Sequence, residues 1–430
     1  MSKYQSSNIY EISLADALEF VVDNRGKTVP TDDKGIALIA TNCISNDHIY
    51  PQKQNLRYVS QDIFDNWFRA HPKPGDIILT NKGSNNGEVC LVPNTVDFCI
   101  AQDMVAVRAD KKKIDPLYLF AALRSRIVQK RIKYLNVDAV IPHFKKTDFN
   151  KLLIPLPDRK SQEFIGKIYF NFSIKIDNLR RQNETLETIA QTLFKHWFID
   201  FEFPNDDGKP YKSSGGAMVA SELGDIPAGW RVGKIEEIAK RIGMGPFGSR
   251  ITTDNFVDNG IPVIRGNNLT NGFNEDGFVY LTPEKADELK SSNVFPEDLV
   301  FTHRGTLGQV GFIPTSSQYP RYVVSQSQMF LSVNKSLMSP RFIYRFFCSK
   351  PGLNALLANK NTTGVPSIAS PSTSLRAIKI LIPNIKLMQN FDLVITAIDF
   401  KKDGNKKQIE TLTKTRDTLL PKLMSGQIRV

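Results

Sequence analysis

The chain states much of itself twice. Gly75-Asp76-Ile77-Ile78-Leu79-Thr80-Asn81-Lys82-Gly83 returns as Glu297-Asp298-Leu299-Val300-Phe301-Thr302-His303-Arg304-Gly305, so that Asp76, Thr80 and Gly83 recur 222 positions later. Flanking pieces keep the same order. Gly35-Ile36-Ala37-Leu38-Ile39 parallels Gly260-Ile261-Pro262-Val263-Ile264, and Asp115-Pro116-Leu117-Tyr118-Leu119 parallels Ser339-Pro340-Arg341-Phe342-Ile343. Ile154-Pro155 aligns with Ile382-Pro383, and Gln182-Asn183-Glu184-Thr185-Leu186 with Gln408-Ile409-Glu410-Thr411-Leu412. Two copies of one domain-plus-helix unit fit a repeat of this length.

Within each copy, short apolar runs such as Ile77-Ile78-Leu79 alternate with Gly, Pro and Asn, which reads as short strands. Asp115-Pro116 opens a helical stretch from Leu117 to Tyr134, with proline at a first-turn position where its missing N–H costs nothing; Pro340 repeats the device. Next comes a stripe at helical spacing: Ile165, Ile168, Phe172, Leu179, Leu186 and Leu193, within a helix expected from Glu163 to Trp197. Its counterpart carries Val394, Ile398, Leu412, Leu419 and Leu423, and Asp403-Gly404-Asn405 predicts a frayed or kinked point inside it. About 35 residues of helix would run roughly 50 Å, and a stripe so narrow needs a partner helix. The expected fold is α+β: two similar mixed domains separated by two long antiparallel coiled-coil spacer helices, with an internal pseudo-two-fold. The expected boundaries are a first mixed domain at 1–157, a central helix at 158–203, a linker at 204–220, a second mixed domain at 221–385 and a C-terminal helix at 386–430.

Composition narrows the function. With 41% hydrophobic and 23% charged residues and no apolar run near the roughly 18 residues a membrane helix needs, a spanning protein is excluded. The polar start, Met1 to Asn8, is unlike a signal peptide, and a cytoplasmic location is expected. Four cysteines without a C-x-x-C pair argue against a zinc ribbon or a disulfide framework. The net charge of +12 fits a polyanionic partner. Residues 158–220, with 9 basic and 9 acidic side chains, fit protein docking better than phosphate binding.

The repeat, with Leu193-Phe194-Lys195-His196-Trp197-Phe198 closing the first long helix and Leu419-Leu420-Pro421-Lys422-Leu423-Met424-Ser425-Gly426 closing the second, resembles the specificity subunit of type I restriction-modification enzymes. Arg25-Gly26-Lys27, Gly229-Trp230-Arg231, Pro246-Phe247-Gly248-Ser249 and the paired Thr-x-x-Gly turns agree with it. The resemblance implies a non-catalytic reader of double-stranded DNA. Each target-recognition domain would bind one half of a bipartite, asymmetric target, while the helices set the gap and dock two methyltransferase subunits and, through them, up to two restriction subunits. No cofactor is expected on this chain; S-adenosylmethionine would sit on the methyltransferase partner, ATP and Mg on the restriction partner.

Copy-specific polar loops are where the half-sites would be encoded. Asn81, Lys82 and Ser84, and the matching His303, Arg304 and Thr306, follow a predicted strand, where Arg can grip guanine O6 and N7 and Asn an adenine edge. Arg265, Asn267 and Asn268, opposite Asn42, and Gln102, Gln326 and Gln328 carry similar donors and acceptors. Arg25, Lys27, Lys145, Lys146, Ser249 and Arg250 are candidate phosphate contacts, which position without specifying. The competing reading for each is a solvated turn or a strand-end cap.

Gly243-Met244-Gly245-Pro246-Phe247-Gly248 has the G-x-G-x-x-G spacing but is rejected as a dinucleotide site, since it follows an expected helix (Lys234 to Ile242) and contains Pro246. No phosphate-binding P-loop, H-E-x-x-H or G-x-S-x-G stands in the chain. Two alternatives differ in class: a nuclease or methyltransferase with dispersed carboxylates, and a protein-interaction scaffold that binds no DNA sequence-specifically.

Overall fold

A computed structural model describes residues 10–24, 26–53, 55–136 and 142–428. The chain divides into two compact units, Met1–Gln182 with Asn405–Val430, and Asn183–Gly404. The division cuts through both long helices, Arg159–Phe198 and Ile385–Met424, because part of each helix packs into each core. In unit one, Leu420, Leu423 and Met424 share a core with Ile165 and Tyr169; in unit two, Phe194 and Phe198 meet Phe391 at ring distances of 5.9 and 4.9 Å. The pairings run in opposite order along the two helices. In unit one Gln182 meets Asn405 and Ser173 meets Arg416; in unit two Glu187 meets Lys402 and Phe194 meets Phe391. Both units therefore hold an antiparallel helix pair.

The two mixed domains share one topology. A four-stranded sheet in the order Leu18–Val22, Met104–Ala109, Ile77–Thr80, Val89–Leu91 is matched by Ala239–Met244, Gln328–Val333, Leu299–Thr302, Val310–Phe312. A second sheet, Arg57–Val59, Ile36–Ile39, Phe98–Ile100, is matched by Val279–Leu281, Ile261–Ile264, Tyr322–Val324 with Asn293–Val294 added at the edge. Tyr10–Ser13 pairs with Leu153–Leu156 as Arg231–Lys234 pairs with Lys379–Ile382. In those ladders Leu156 takes the place of Ile382, so Ile154-Pro155 does not correspond to Ile382-Pro383; the alignment on Ile-Pro was two residues out of register.

The central strand explains why its sequence is apolar throughout. Side chains alternate between faces: Ile77 and Leu79 enter the core under the helices, whereas Ile78 enters the core against the second sheet. Leu299 and Phe301, against Val300, repeat the division. Burying one such side chain contributes roughly 1.5–3 kcal/mol, so a one-residue register slip would exchange two unlike cores.

Several local expectations need correction. The stretch from Leu117 to Tyr134 is two helices, Pro116–Arg124 and Arg126–Tyr134, broken at Ser125, whose hydroxyl accepts from the Val128 N–H. Ser349 breaks the second copy in the same way. The helix starts expected at Pro116 and Pro340 hold, and each is capped by the residue before it, Asp115 accepting from Tyr118 N–H at 2.9 Å and Ser339 from Phe342 N–H at 3.3 Å. The last helix runs through Asp403-Gly404-Asn405 without interruption. Val394 is 42% exposed, because the buried phase there is Met388, Phe391, Ile395 and Ile398. Segment 204–220, expected as a linker, is anchored: Phe203 stacks on Tyr211 at 4.5 Å and on Trp230 at 5.3 Å, and Met218–Val219 pairs with Ile226–Pro227. Among the described residues no helix is long and apolar enough to cross a membrane.

Candidate nucleic-acid interface

The residues that recur in both copies turn out to be architecture. Asp76 holds Arg108 through two 2.8 Å bonds and accepts from Lys73 N–H, closing the turn before the central strand. Asp298 accepts from Phe295 N–H at 2.9 Å in the same place. Gly83 and Gly305 close the turns after the strand at φ of 95° and 93°, a region that favours glycine. What the scaffold presents between Thr and Gly is then free to differ.

In unit two those differing residues converge. Arg265, Arg304, Thr306, Gln326 and Gln328 all line one cavity of about 400 Å³, whose other walls include Pro246, Gly248, Thr302, Gln309 and Ser327. Two arginines and no carboxylate form its lining. Arg265 donates from Nη2 to the Gly277 carbonyl at 3.0 Å, which steadies the guanidinium while its buried Nε has no hydrogen-bond partner. Arg304 and Gln326 are exposed. Such a cleft offers donors, an amide edge and positive charge to a negatively charged, hydrogen-bonding ligand.

Three residues read from sequence as base contacts point inward instead. Asn268 is fully buried, accepting from Arg265 N–H at 3.1 Å and donating to the Asp276 carbonyl at 2.9 Å, so it shapes the loop. His303 is buried with Nε2 3.1 Å from the Gln326 carbonyl, and burial pushes its pKa below the ordinary histidine value. Gln328 is buried, its amide donating to Thr302 Oγ1 at 3.4 Å and accepting from the Ser325 hydroxyl. These three hold the cleft wall in shape and have little left to offer a ligand.

Unit one arranges its candidates around the equivalent turn. Asn81 is fixed through its backbone, donating to the Asp103 carbonyl and accepting from Phe144 N–H. Lys82 lies 3.9 Å from Asp103, Ser84 is exposed, and the buried Oε1 of Gln102 has no hydrogen-bond partner. Asn42 is exposed on the turn Thr41–Cys43, in the position of Asn267, which is also exposed, on Gly266–Leu269. Among the phosphate candidates, Lys27, Lys145 and Arg250 are exposed and Lys146 is paired with Asp23. Ser249 stands in the turn Gly248–Arg250, and Arg25 lies outside the described residues.

The glycine-rich segment also differs from expectation. It follows a strand, Ala239–Met244, where a helix had been expected; only the single turn Ile235–Ile238 is helical. A dinucleotide site still does not form, since the strand is antiparallel to its neighbour Gln328–Val333 and leads into a 3-10 turn, leaving no helix N-terminus for a pyrophosphate. Gly245 is required for packing: a Cβ there would run into the Ser325 carbonyl. Phe247, named from the sequence only within Pro246-Phe247-Gly248-Ser249, is exposed on this segment.

The profile described as "Type I restriction modification DNA specificity domain" matches residues 31–188 and 227–411, and the chain belongs to this family. It is 24% identical over 388 residues to the type I restriction enzyme MjaIX specificity subunit of Methanocaldococcus jannaschii, covering 89% of this chain and 84% of the relative. It is 21% identical over 412 residues to the type I restriction enzyme HindI specificity subunit of Haemophilus influenzae, covering 83% and 87%. The crystal structure of a type I restriction-modification S subunit from M. genitalium superposes with a TM-score of 0.58 at 16% identity, covering 98% of both chains, so the fold is shared.

Proposed function

We propose that this chain is the non-catalytic, cytoplasmic DNA-reading subunit of a type I restriction-modification system, taking one half of an asymmetric, bipartite duplex target in each unit. The observation that carries this reading is the matched pair of strand-end turns on one duplicated scaffold, presenting Asn81, Lys82 and Ser84 in one copy and Arg304 and Thr306 in the other. The arginine-bearing, carboxylate-free cleft beside the second turn supports it. Two methyltransferase subunits, carrying S-adenosylmethionine, would dock on the long helices. Leu393 and Phe400, large apolar side chains turned to solvent on the last helix, support docking there. Restriction subunits carrying ATP and Mg would join through the methyltransferases.

The test is selection of duplexes from a randomised pool by the chain in complex with its methyltransferase partner. Two defined half-sites separated by an unspecified gap are expected, with affinity falling steeply as salt rises. A contiguous motif, or no motif at all, would refute the bipartite reading. Methyl transfer or cleavage by the purified chain alone would refute the non-catalytic one.

A further inference from the structure

The segment joining Ala239–Met244 to the turn Gly248–Arg250 carries an aromatic ring that packing does not explain. Phe247 is 75% exposed, among the most exposed large apolar side chains described. It has no ring-stacking or cationic partner among the described residues. Its neighbours are held firmly. The Gly245 N–H donates to the Gln328 carbonyl at 2.9 Å, and a Cβ at Gly245 would meet the Ser325 carbonyl, so the segment lies flat against the Ser325–Gln328 backbone. Gly248 turns at φ 66° with open space around it. Pro246 and Gly248 both line the cleft that Arg265, Arg304 and Gln326 share. Phe247 therefore stands between two residues that line a positively charged, carboxylate-free cleft, on a backbone held at Gly245.

Water penalises an exposed phenyl ring, whereas a thymine methyl in the major groove offers it an apolar partner, and losing one base contact typically costs about 1–3 kcal/mol. The charge of the cleft favours a polyanion over an apolar peptide as the occupant. We propose that Phe247 is a base-contacting residue of unit two, its ring bearing on a thymine methyl at a base edge in the half-site read by Arg265 and Arg304. This rests on the DNA-reading function proposed above. The ring is specific to one copy. Gly26 turns at φ 68° as Gly248 turns at φ 66°, so the sequence Arg25-Gly26-Lys27 stands where unit two has Phe247-Gly248-Ser249 and carries no aromatic residue, and the contact would belong to one half-site alone.

The full chain in complex with its methyltransferase partner is compared with its Phe247→Ala and Phe247→Trp variants. The duplexes are the one the wild-type complex selects from a randomised pool and a scrambled duplex of equal length. Phe247→Ala should weaken binding to the selected duplex by about tenfold. Affinity for the scrambled duplex, the salt slope and the unfolding temperature should stay unchanged, because the ring neutralises no phosphate and is not part of the core. Phe247→Trp should keep binding near wild type. Equal loss on both duplexes, a lowered unfolding temperature accompanying the loss, or Phe247→Ala binding as tightly as wild type would each overturn the inference. If the wild-type complex fails to tell the two duplexes apart, the DNA-reading function falls with it; if wild type discriminates and Phe247→Ala matches it, this inference falls alone.

Discussion

Units one and two share a topology and differ in how their recognition domains are tied to the long helices. In unit two, Arg345 on Pro340–Cys348 is 2% exposed and pairs with Glu187 on the first long helix and with Asp399 on the last, at 3.1 Å for the latter. Lys402 joins Glu187, and Arg341 bridges Glu297 and Asp399. In unit one the place of Arg345 is taken by Ala121, fully buried among Tyr118, Leu123 and Ile165. There the corresponding helix sends Arg124 to cap the Val89 and His48 carbonyls, while Asp177 on the long helix meets Arg181 at 2.8 Å and His48 at 3.6 Å. In unit two one buried arginine is shared by both long helices, whereas in unit one an alanine packs at that position and the polar contacts fall elsewhere, on Arg124, Asp177 and His48. A duplicated fold therefore fixes where a junction lies without fixing the chemistry that seals it.

Exchanging the two chemistries should be most damaging where no partner awaits the charge. Ala121→Arg would place a guanidinium in an apolar core and should cost about 3 kcal/mol or more, seen as lost soluble protein or a collapsed urea midpoint. Arg345→Ala should cost roughly 1.5–3 kcal/mol, because the half-buried Glu187 and Asp399 keep Lys402 and Arg341 but lose the cation they share. Replacing Arg345, Glu187 and Asp399 together by Met, Gln and Asn should recover much of that loss. If the triple variant is as unstable as Arg345→Ala, the ion network is not what seals unit two.

Acid tests the same junction. Burial alone would raise the Glu187 carboxyl, but Arg345 and Lys402 overcome it and hold its pKa at about 2, below the ordinary glutamate value of 4.5. A carboxyl held below its unfolded value stabilises the fold above that value, and the contribution is lost as pH falls from 4.5 toward about 2. Its size is on the order of 2 kcal/mol. Asp399 works against it, burial raising its carboxyl above the usual range despite Arg345, Lys402 and Arg341. Wild type should therefore lose stability across that interval, and Glu187→Gln should lose less; parallel acid profiles would show that Glu187 is not held as described.

How much of this was legible depends on range. Proline caps, the apolar central strand and the Asp, Thr and Gly of the repeat are local signals, and they led to the correct elements. The inward turn of His303 depends on a carbonyl 23 residues away, and Arg345 finds Glu187 across 158 positions; no local pattern contains either. Ser125 and Ser349 were missed as helix breaks because apolar periodicity runs on through them. Val394 was misjudged because a stripe read at one spacing drifts off the buried face of a 40-residue helix. The candidate cleft was visible residue by residue, but only the fold could separate Arg304 and Gln326, which face solvent, from His303 and Gln328, which shape the wall.

The recognition turns extend the comparison from stability to specificity. Arg304 in unit two occupies the turn that Lys82 holds in unit one, and arginine's planar fork fits guanine O6 and N7 where lysine brings a point charge. Arg304→Ala should relax one half-site, costing about 1–3 kcal/mol there and leaving the other unchanged. Base-by-base competition binding would measure it. Uniform loss at every position would reduce Arg304 to a phosphate contact.

The smallest expected effect lies at Gly404, where sequence suggested a break and the helix shows none. Nothing lies within 4 Å of a Cβ built on Gly404, and the helix Ile385–Met424 passes through it. A glycine in helical conformation with open space around it serves no steric purpose; it only widens the unfolded ensemble. Gly404→Ala should therefore stabilise the protein by about 0.5–1 kcal/mol, read as a higher urea midpoint with an unchanged slope. The neighbouring Asn405 is the contrast, buried and bonded to Gln182 at 3.4 Å, so Asn405→Ala should destabilise where Gly404→Ala stabilises. If Gly404→Ala instead lowers the midpoint, this glycine is needed for a conformation other than the continuous helix, and the kink expected from Asp403-Gly404-Asn405 would be the better description.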